Sequence, residues 1–109
     1  MTAPAAAPAR VRVIRLLRVR EGMDEEFVRS YGDVRAEAEL FPGHLGEQLC
    51  CSLDDPAQWL LTSEWADAEA IRRWRTDSAH RVLVEPMNAC LHDDRWTGVF
   101  HIRESTERD

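Results

Sequence analysis

The chain contains no lysine, so all 14 of its basic side chains are arginines. The 20 acidic residues outnumber them and leave a formal net charge of −6. A nucleic-acid partner requires a concentrated basic surface that can replace the counterions of the phosphates. The charge balance therefore predicts that the protein has no nucleic-acid partner.

All apolar runs in the chain are much shorter than a membrane-spanning helix. We therefore expect no membrane association. The first ten residues lack both the basic and the leucine-rich regions of a signal peptide. We therefore predict a disordered tail at residues 1–10 and one domain at residues 11–103. The polar residues 104–109 should form a frayed end.

Cysteine is scarce. Cys50, Cys51 and Cys90 are odd in number and two are adjacent, which excludes a disulfide framework. This usage is typical of the reducing cytoplasm, which we predict as the location. Cys50 and Cys51 point to opposite faces of one predicted strand, where we expect both to be small apolar fillers. No HxxxH or CxxC spacing occurs, so we predict no metal site.

The most informative stretch that is present is residues 59–65, whose two-residue alternation predicts a buried strand. One face of this strand carries two indoles beside a serine: Trp59, Leu61, Ser63 and Trp65. The apolar spacing becomes helical directly afterwards, with Asp67 placed as the N-cap of a helix. We expect any cavity in this protein to be bounded by this strand and this helix.

The first predicted strand, residues 11–20, carries apolar side chains on both faces, so we expect both faces to be covered. Arg15 interrupts one of these faces. It either pairs with a carboxylate on a neighbouring strand such as Glu47, lies at a rim, or places a cation in a pocket. A helix beginning at Met23 follows, and its apolar stripe has helical spacing: Phe27, Tyr31, Val34 and Ala38.

A second strand at residues 45–53, a turn at 54–56 and a final strand at 95–102 complete a βαββαβ order. This is the order of the ferredoxin-like α+β fold, with a four-stranded antiparallel sheet. Helices on one face of the sheet would leave the other face open, and we expect Leu16, Leu60 and Val99 to lie there. A second copy of the chain would cover them, so we predict a homodimer built sheet against sheet.

Four segments resemble motifs of the antibiotic biosynthesis monooxygenase family, whose members are small dimeric α+β barrels. Residues 41–46, FPGHLG, are similar to the family's Pro-Gly-x-x-Gly turn, and residues 52–56, SLDDP, resemble its hairpin. Residues 64–70, EWADAEA, are similar to its most recognisable segment, and residues 77–80, DSAH, to the Ser-x-x-His that usually follows. The resemblance covers residues 11–102 and implies the same dimeric fold.

In the family that this chain resembles, the members that act on polyketides need no metal, flavin or haem. The resemblance thus implies a cofactor-free monooxygenase that deprotonates an anthrone-like phenol, lets the carbanion reduce O2 and releases a quinone. The expected partners are a small aromatic substrate and O2, and no cofactor is expected.

Trp65 matches the tryptophan implicated in the family's reaction, although an indole at a sheet–helix junction can equally be core. His80 is the candidate general base, with a helix cap or a surface position as the alternative. The candidate substrate-binding residues are three further indoles, a serine and two arginines that could hold a phenolate: Trp59, Trp74, Trp96, Ser63, Arg15 and Arg81.

Two positions depart from the family pattern. Leu61 stands where the polyketide oxygenases carry an asparagine, and its side chain cannot hydrogen-bond a peroxide or an oxyanion. Arg75 stands where the haem-degrading relatives carry a histidine, which argues against haem cleavage. The first departure keeps a second interpretation open, namely a polyketide cyclase-like accessory or an aromatic-metabolite-binding protein on the same fold.

Overall fold

The computed structural model describes residues 10–106, which form four strands and three helices. In chain order these are β1 (Val11–Arg18), α1 (Asp24–Glu39), β2 (His44–Cys51), β3 (Gln58–Trp65), α2 (Ala68–Thr76), α3 (Ser78–Asn88) and β4 (Trp96–His101). The strands make one antiparallel sheet in the order β2-β3-β1-β4. The ferredoxin-like α+β fold is therefore confirmed, with two helices in the second helical position.

The two helices after β3 are separated at Asp77, whose extended backbone ends α2. Its carboxylate then caps α3 by accepting a hydrogen bond from the backbone N–H of Ala79 at 2.9 Å. Asp67 caps α2 as predicted, since its side chain accepts from the N–H of Ala70 at 2.8 Å. One aspartate thus changes the chain direction, so that α2 and α3 both pack over the same side of the sheet.

The core lies between the sheet and the helices. The predicted stripe of α1 is buried at Phe27, Tyr31, Val34 and Ala38. One buried cluster groups Leu17 of β1 with Phe27 and Met87, and a second groups Val11 and Trp65 with Ile71. The cluster around Leu17 is closed by α1 and α3 and the other by α2, so the helical layer covers the sheet in two parts.

One of the apolar residues predicted for the outer face of the sheet, Val99, lies on the inner face instead. Val99 lies directly opposite Val13, so both point towards the helices, and the prediction that placed Val99 outside is wrong. Trp96 lies opposite Leu16 on the outer face. The sequence alternation shows which residues of a strand share a face, but only strand pairing decides which face that is.

Cys50 and Cys51 are both exposed, so the prediction that they fill apolar space is wrong. They lie on β2, which is an edge strand with a neighbour on one side only. The predicted tail lies outside the described residues except for Arg10, whose carbonyl accepts a hydrogen bond from the N–H of Ile102. Residues 104–106 of the predicted frayed end have no regular structure, and 107–109 lie outside the described part.

Within residues 10–106, no helix has the length and apolar character needed to cross a membrane.

Gly43 makes the turn between α1 and β2 possible. Its φ of +94° lies in the left-handed region that side-chain-bearing residues rarely adopt. A Cβ placed there would lie 2.5 Å from the Cβ of Ala70 in α2. The carbonyl of Gly43 also accepts a hydrogen bond from the N–H of Ala66 at 2.8 Å. The turn therefore joins the start of β2 to the β3–α2 junction.

We expect Gly43→Ala to lower the free energy of unfolding by at least about 2 kcal/mol, because it adds backbone strain to a steric overlap. Urea denaturation followed by circular dichroism would measure the change. Gly32→Ala is the matched control, since Gly32 lies inside α1 and a Cβ there meets no atom within 4 Å. It should raise stability by about 0.5–1 kcal/mol, and equal effects at both positions would contradict this account.

Candidate active site

A cavity of about 400 Å³ lies between the concave face of the sheet and the helices. All four strands and all three helices of the described chain contribute to its wall. The wall is mixed in character, with indole and aliphatic side chains next to a small number of ionisable groups. The volume of this cavity and the residues that line it are typical of a binding site for a small molecule. The predicted boundary formed by β3 and the following helix is part of this wall.

Aromatic rings form one side of the cavity. The rings of Trp65 and Trp74 are stacked, with centroids 6.2 Å apart and planes inclined by 29°. The imidazole of His80 meets Trp74 edge to face at 4.5 Å. Phe41 contacts both indoles from outside the cavity wall. This packing holds the rings in place and presents an apolar surface against which a flat aromatic molecule can lie.

Trp65 is both a core residue and a wall of the cavity. It is only 1% exposed, and its indole N–H donates a hydrogen bond to the hydroxyl oxygen of Ser63 at 3.0 Å. Because these two residues are two apart on one strand, they point in the same direction. The serine therefore satisfies the one polar atom of the buried indole, and its own hydroxyl hydrogen remains available on the cavity side.

A bulge in β2 creates a buried polar group at the cavity. The register between β2 and β3 shifts between His44 and Gly46, so His44 and Glu47 come to the same side of the sheet. The imidazole Nε2 of His44 lies 2.9 Å from one carboxylate oxygen of Glu47, and the other oxygen accepts the hydroxyl of Tyr31. Burial and the bond to Glu47 raise the pKa of the Tyr31 phenol.

Glu47 is therefore occupied by His44 and Tyr31, and the predicted ion pair between Glu47 and Arg15 is not formed. The bulge explains the difference, because it brings His44 within reach of the carboxylate. It also moves Leu45 to the outer face of the sheet, where it borders a shallow depression with Thr62 and Glu64.

Arg15 is a half-buried cation in the cavity, the third of the three predicted possibilities. It lies opposite Leu61 on one side and Thr97 on the other, neither of which carries charge. Its pKa is lowered by burial and then by the positive charges of Arg95 and Arg75. Among residues 10–106, no carboxylate lies within ion-pairing distance of Arg15 or Arg75.

His80 lies next to this positive charge. Burial lowers its pKa below the ordinary value of 6.5, and Arg15 and Arg75 lower the pKa further, against a smaller opposite effect of Asp77. The ring nitrogen Nδ1 is buried and has no hydrogen-bond partner in the described structure. The lowered pKa favours the neutral form of His80, and because this residue lines the cavity its imidazole is a candidate acceptor for a proton from a bound molecule.

Five of the predicted site residues line the cavity together: Arg15, Ser63, Trp65, Trp74 and His80. The other three do not. Trp59 packs edge to face on Phe27 at 5.4 Å within the core, Arg81 is exposed on α3, and Trp96 lies on the outer face of the sheet. Trp59 shares a sheet face with Trp65, but the strand carries it past the end of the cavity and under α1.

Sequence reasoning missed Asn88 as a site residue. His80, Val84 and Asn88 are spaced by four residues along α3 and all reach the cavity. The side-chain oxygen of Asn88 is buried without a hydrogen-bond partner. The four-residue spacing is a usable signal, but a proline within a helix normally interrupts it, which disfavours a continuous helix through Pro86. The structure instead carries α3 through Pro86 to Asn88.

Residues 10–86 match the family model described as "Antibiotic biosynthesis monooxygenase". The chain belongs to this family. The match includes all strands except β4 and most of the cavity wall, but it ends before Asn88.

Three Streptomyces proteins are similar to this member of the antibiotic biosynthesis monooxygenase family. The "42.8 kDa protein in whiE locus" of Streptomyces coelicolor is 44% identical over 97 residues, which are 89% of this chain and 24% of the relative. "Polyketide synthase CurD" of Streptomyces cyaneus is 36% identical over 89% of this chain and 26% of the relative. "Protein SchA" of Streptomyces halstedii is 33% identical over 91% of this chain and 26% of the relative. The chain thus spans about a quarter of the length of these relatives.

Solved structures of the same fold include SnoaB, a cofactor-independent oxygenase from Streptomyces nogalater. It superposes with a TM-score of 0.81 over 92% of this chain and 99% of that chain, at 19% identity. A conserved protein from Methanosarcina mazei Go1 superposes with a TM-score of 0.76 over 87% of this chain and 94% of that chain, at 17% identity. At these identities the superpositions establish the fold.

We expect the pKa of His80, followed by NMR titration of its ring protons, to lie below the ordinary value of 6.5. Arg15→Gln should raise the His80 value, because it removes one of the two positive charges that disfavour the imidazolium. Arg73→Gln is the control, since Arg73 lies on the outer side of α2 with Glu69. A His80 value at or above 6.5 would contradict the described electrostatics.

Proposed function

We propose that this domain oxidises a phenolic, anthrone-like aromatic substrate with O2 to a quinone, without a cofactor. The observation that carries the proposal is His80, which lines a cavity with an aromatic wall together with Arg15 and Arg75, two arginines that lower its pKa. Two names support the proposal. One sequence relative is called a polyketide synthase. One solved structure of the same fold is called a cofactor-independent oxygenase.

Binding of the substrate uses the aromatic wall. A planar polycycle lies against Trp74, whose ring packs on Trp65, and offset stacking and burial of apolar surface hold it. The cavity also contains Val13, Ile71 and Met87, which exclude water from the ring system. Exclusion of water strengthens every electrostatic interaction inside the cavity, including those of Arg15.

Deprotonation is the first chemical step. The imidazole of His80 accepts the substrate proton, and the resulting anion delocalises over the ring system towards the phenolic oxygen. Arg15 and Arg75 stabilise this negative charge, as preorganised positive groups do in other enzymes.

Oxygen reduction follows. The carbanion transfers one electron to O2, and the radical pair combines into a peroxide at the former CH2 carbon. Loss of the second hydrogen of that carbon as a proton breaks the O–O bond and releases water, which leaves the quinone carbonyl. One O2 is consumed for each substrate, and one of its oxygen atoms remains in the product.

Asn88 offers the amide that Leu61 cannot provide. Its unpartnered side-chain oxygen shows that its hydrogen-bonding capacity is not used within the described protein. The Oδ1 of Asn88 can therefore accept a hydrogen bond from the O–H of a hydroperoxide, although this amide comes from α3 and not from the strand. If it does not act in this way, Leu61 favours the second candidate function, a cyclase-like accessory or binding protein for an aromatic metabolite.

We further propose that the domain forms a homodimer through the outer face of the sheet. Leu16, Trp96 and Phe100 are 38%, 49% and 46% exposed on this face. The rings of Trp96 and Phe100 meet above Gly98, where a Cβ would lie 2.6 Å from the indole, so they form one continuous apolar surface. Such a surface is usually covered by a partner.

We expect the protein, treated with EDTA and given an anthrone, to consume O2 faster than the spontaneous reaction. His80→Gln should reduce this rate by about 100-fold or more, because a general base is lost. The rate of the wild type should rise with pH through the lowered pKa of His80 and then level off, since the neutral imidazole is the active form. An oxygen electrode with product absorbance would measure both effects.

His92→Gln is the matched control, because His92 is exposed and lies outside the cavity. It should retain wild-type activity. Tight binding of the anthrone without O2 uptake above the spontaneous rate would contradict the oxygenase and favour the binding function.

We expect the wild type to be a dimer by light scattering at micromolar concentration, and Phe100→Glu to be a monomer, because a carboxylate would be buried in the interface. Val28→Glu is the control, since Val28 is 46% exposed on α1, away from the sheet. It should remain a dimer. A monomeric wild type would refute the proposed interface.

A further inference from the structure

We propose that Arg15 and Arg75 form a carboxylate subsite at one end of the cavity, so that the substrate is an aromatic acid. This inference rests on the proposed function for the aromatic body of the ligand. The carboxylate is a permanent group of the substrate and takes no part in the redox chemistry.

The first argument is the absence of a counter-charge within the described residues. Arg15 lies on the inner face of β1 between two strands, and the residues directly opposite it are Leu61 and Thr97. The one carboxylate on the cavity wall, Glu47, already binds His44 and Tyr31. The neighbouring Arg18, by contrast, has its own acid, with Asp55 at 2.8 Å.

The second argument is the cost of this arrangement. A guanidinium that is partly removed from water without a counterion loses hydration, and a second guanidinium nearby adds repulsion. The charges acting on Arg15 are those of Arg95 and Arg75, both positive. The chain has 20 acidic and 14 basic residues, so cations gathered without acids run against its overall balance. A bound anion removes this cost.

The third argument is geometric. Arg15 comes from the floor of the cavity on β1, whereas Arg75 comes from the last turn of α2. Both line the same cavity as Trp65 and Trp74. A guanidinium binds a carboxylate through two parallel hydrogen bonds, which suits a planar acid attached to a planar ring. The ring system then lies against the indoles while the acid group meets the arginines.

The experiment compares two product-like probes that differ in charge, anthraquinone-2-carboxylate and anthraquinone-2-carboxamide. Quenching of tryptophan fluorescence reports their binding to the wild-type protein. We expect the carboxylate to bind about tenfold more tightly or better, because its hydrogen bonds to the arginines are charge-assisted. Equal affinity for the two probes would overturn the subsite.

Arg15→Gln and Arg75→Gln should each remove most of this preference and leave binding of the carboxamide nearly unchanged. Arg73→Gln is the matched control on α2, since Arg73 faces Glu69 on the outer surface, and it should keep the full preference. Loss of the preference in this control would show a general effect of charge and contradict the subsite.

A measurement on the wild type does not depend on the folding of any variant. Binding of the carboxylate should raise the pKa of His80 in an NMR titration, because it neutralises positive charges that lower it, whereas the carboxamide should not. No difference between the probes would contradict the proposal. Displacement of the carboxylate by an equal concentration of inorganic phosphate would identify a phosphate site and overturn the aromatic-acid assignment.

The two proposals fail separately. O2 uptake with a neutral anthrone, together with equal affinity for the two probes, would retain the oxygenase and refute the subsite. A strong preference for the carboxylate without O2 uptake from any anthrone would retain the subsite and refute the oxygenase.

Discussion

The pairing of β1 with β3 on one side and β4 on the other is the constraint on which the rest of the molecule depends. Because side chains alternate along a strand, this register decides which residues face the helices. It places Val13 opposite Ser63 and Arg15 opposite Leu61, so polar and charged groups reach a cavity whose walls are otherwise apolar. A shift by one residue would exchange this face for the outer one and leave no site.

Electrostatics within the cavity follow from this placement. The sheet carries Arg15 inwards without an acid beside it, and α2 brings Arg75 to the same space. Burial and these two positive charges lower the pKa of His80 and so favour its neutral form, which is the form that can accept a proton. Among the described residues, the cavity wall carries a carboxylate only at Glu47, which is held by His44 and Tyr31.

The fold itself is shared with proteins of low identity, so it does not decide the reaction. What belongs to this chain is the set of side chains on the frame. Leu61 removes an amide from the strand, and Asn88 brings one from α3 with its oxygen unpartnered. Such exchanges alter the chemistry of the cavity while the strand order and the helical layer stay the same.

The sequence by itself determined the order of most elements, the cap at Asp67, the buried stripe of α1 and the family. These features depend on local spacing and on short motifs, which act over a few residues. Only the tertiary structure decided that Arg15 is an unpaired cation, that Trp59 and Trp96 lie outside the cavity, and that Asn88 lies inside it. Each of these depends on strand register, a bulge or helix length, which bring together residues far apart in the chain.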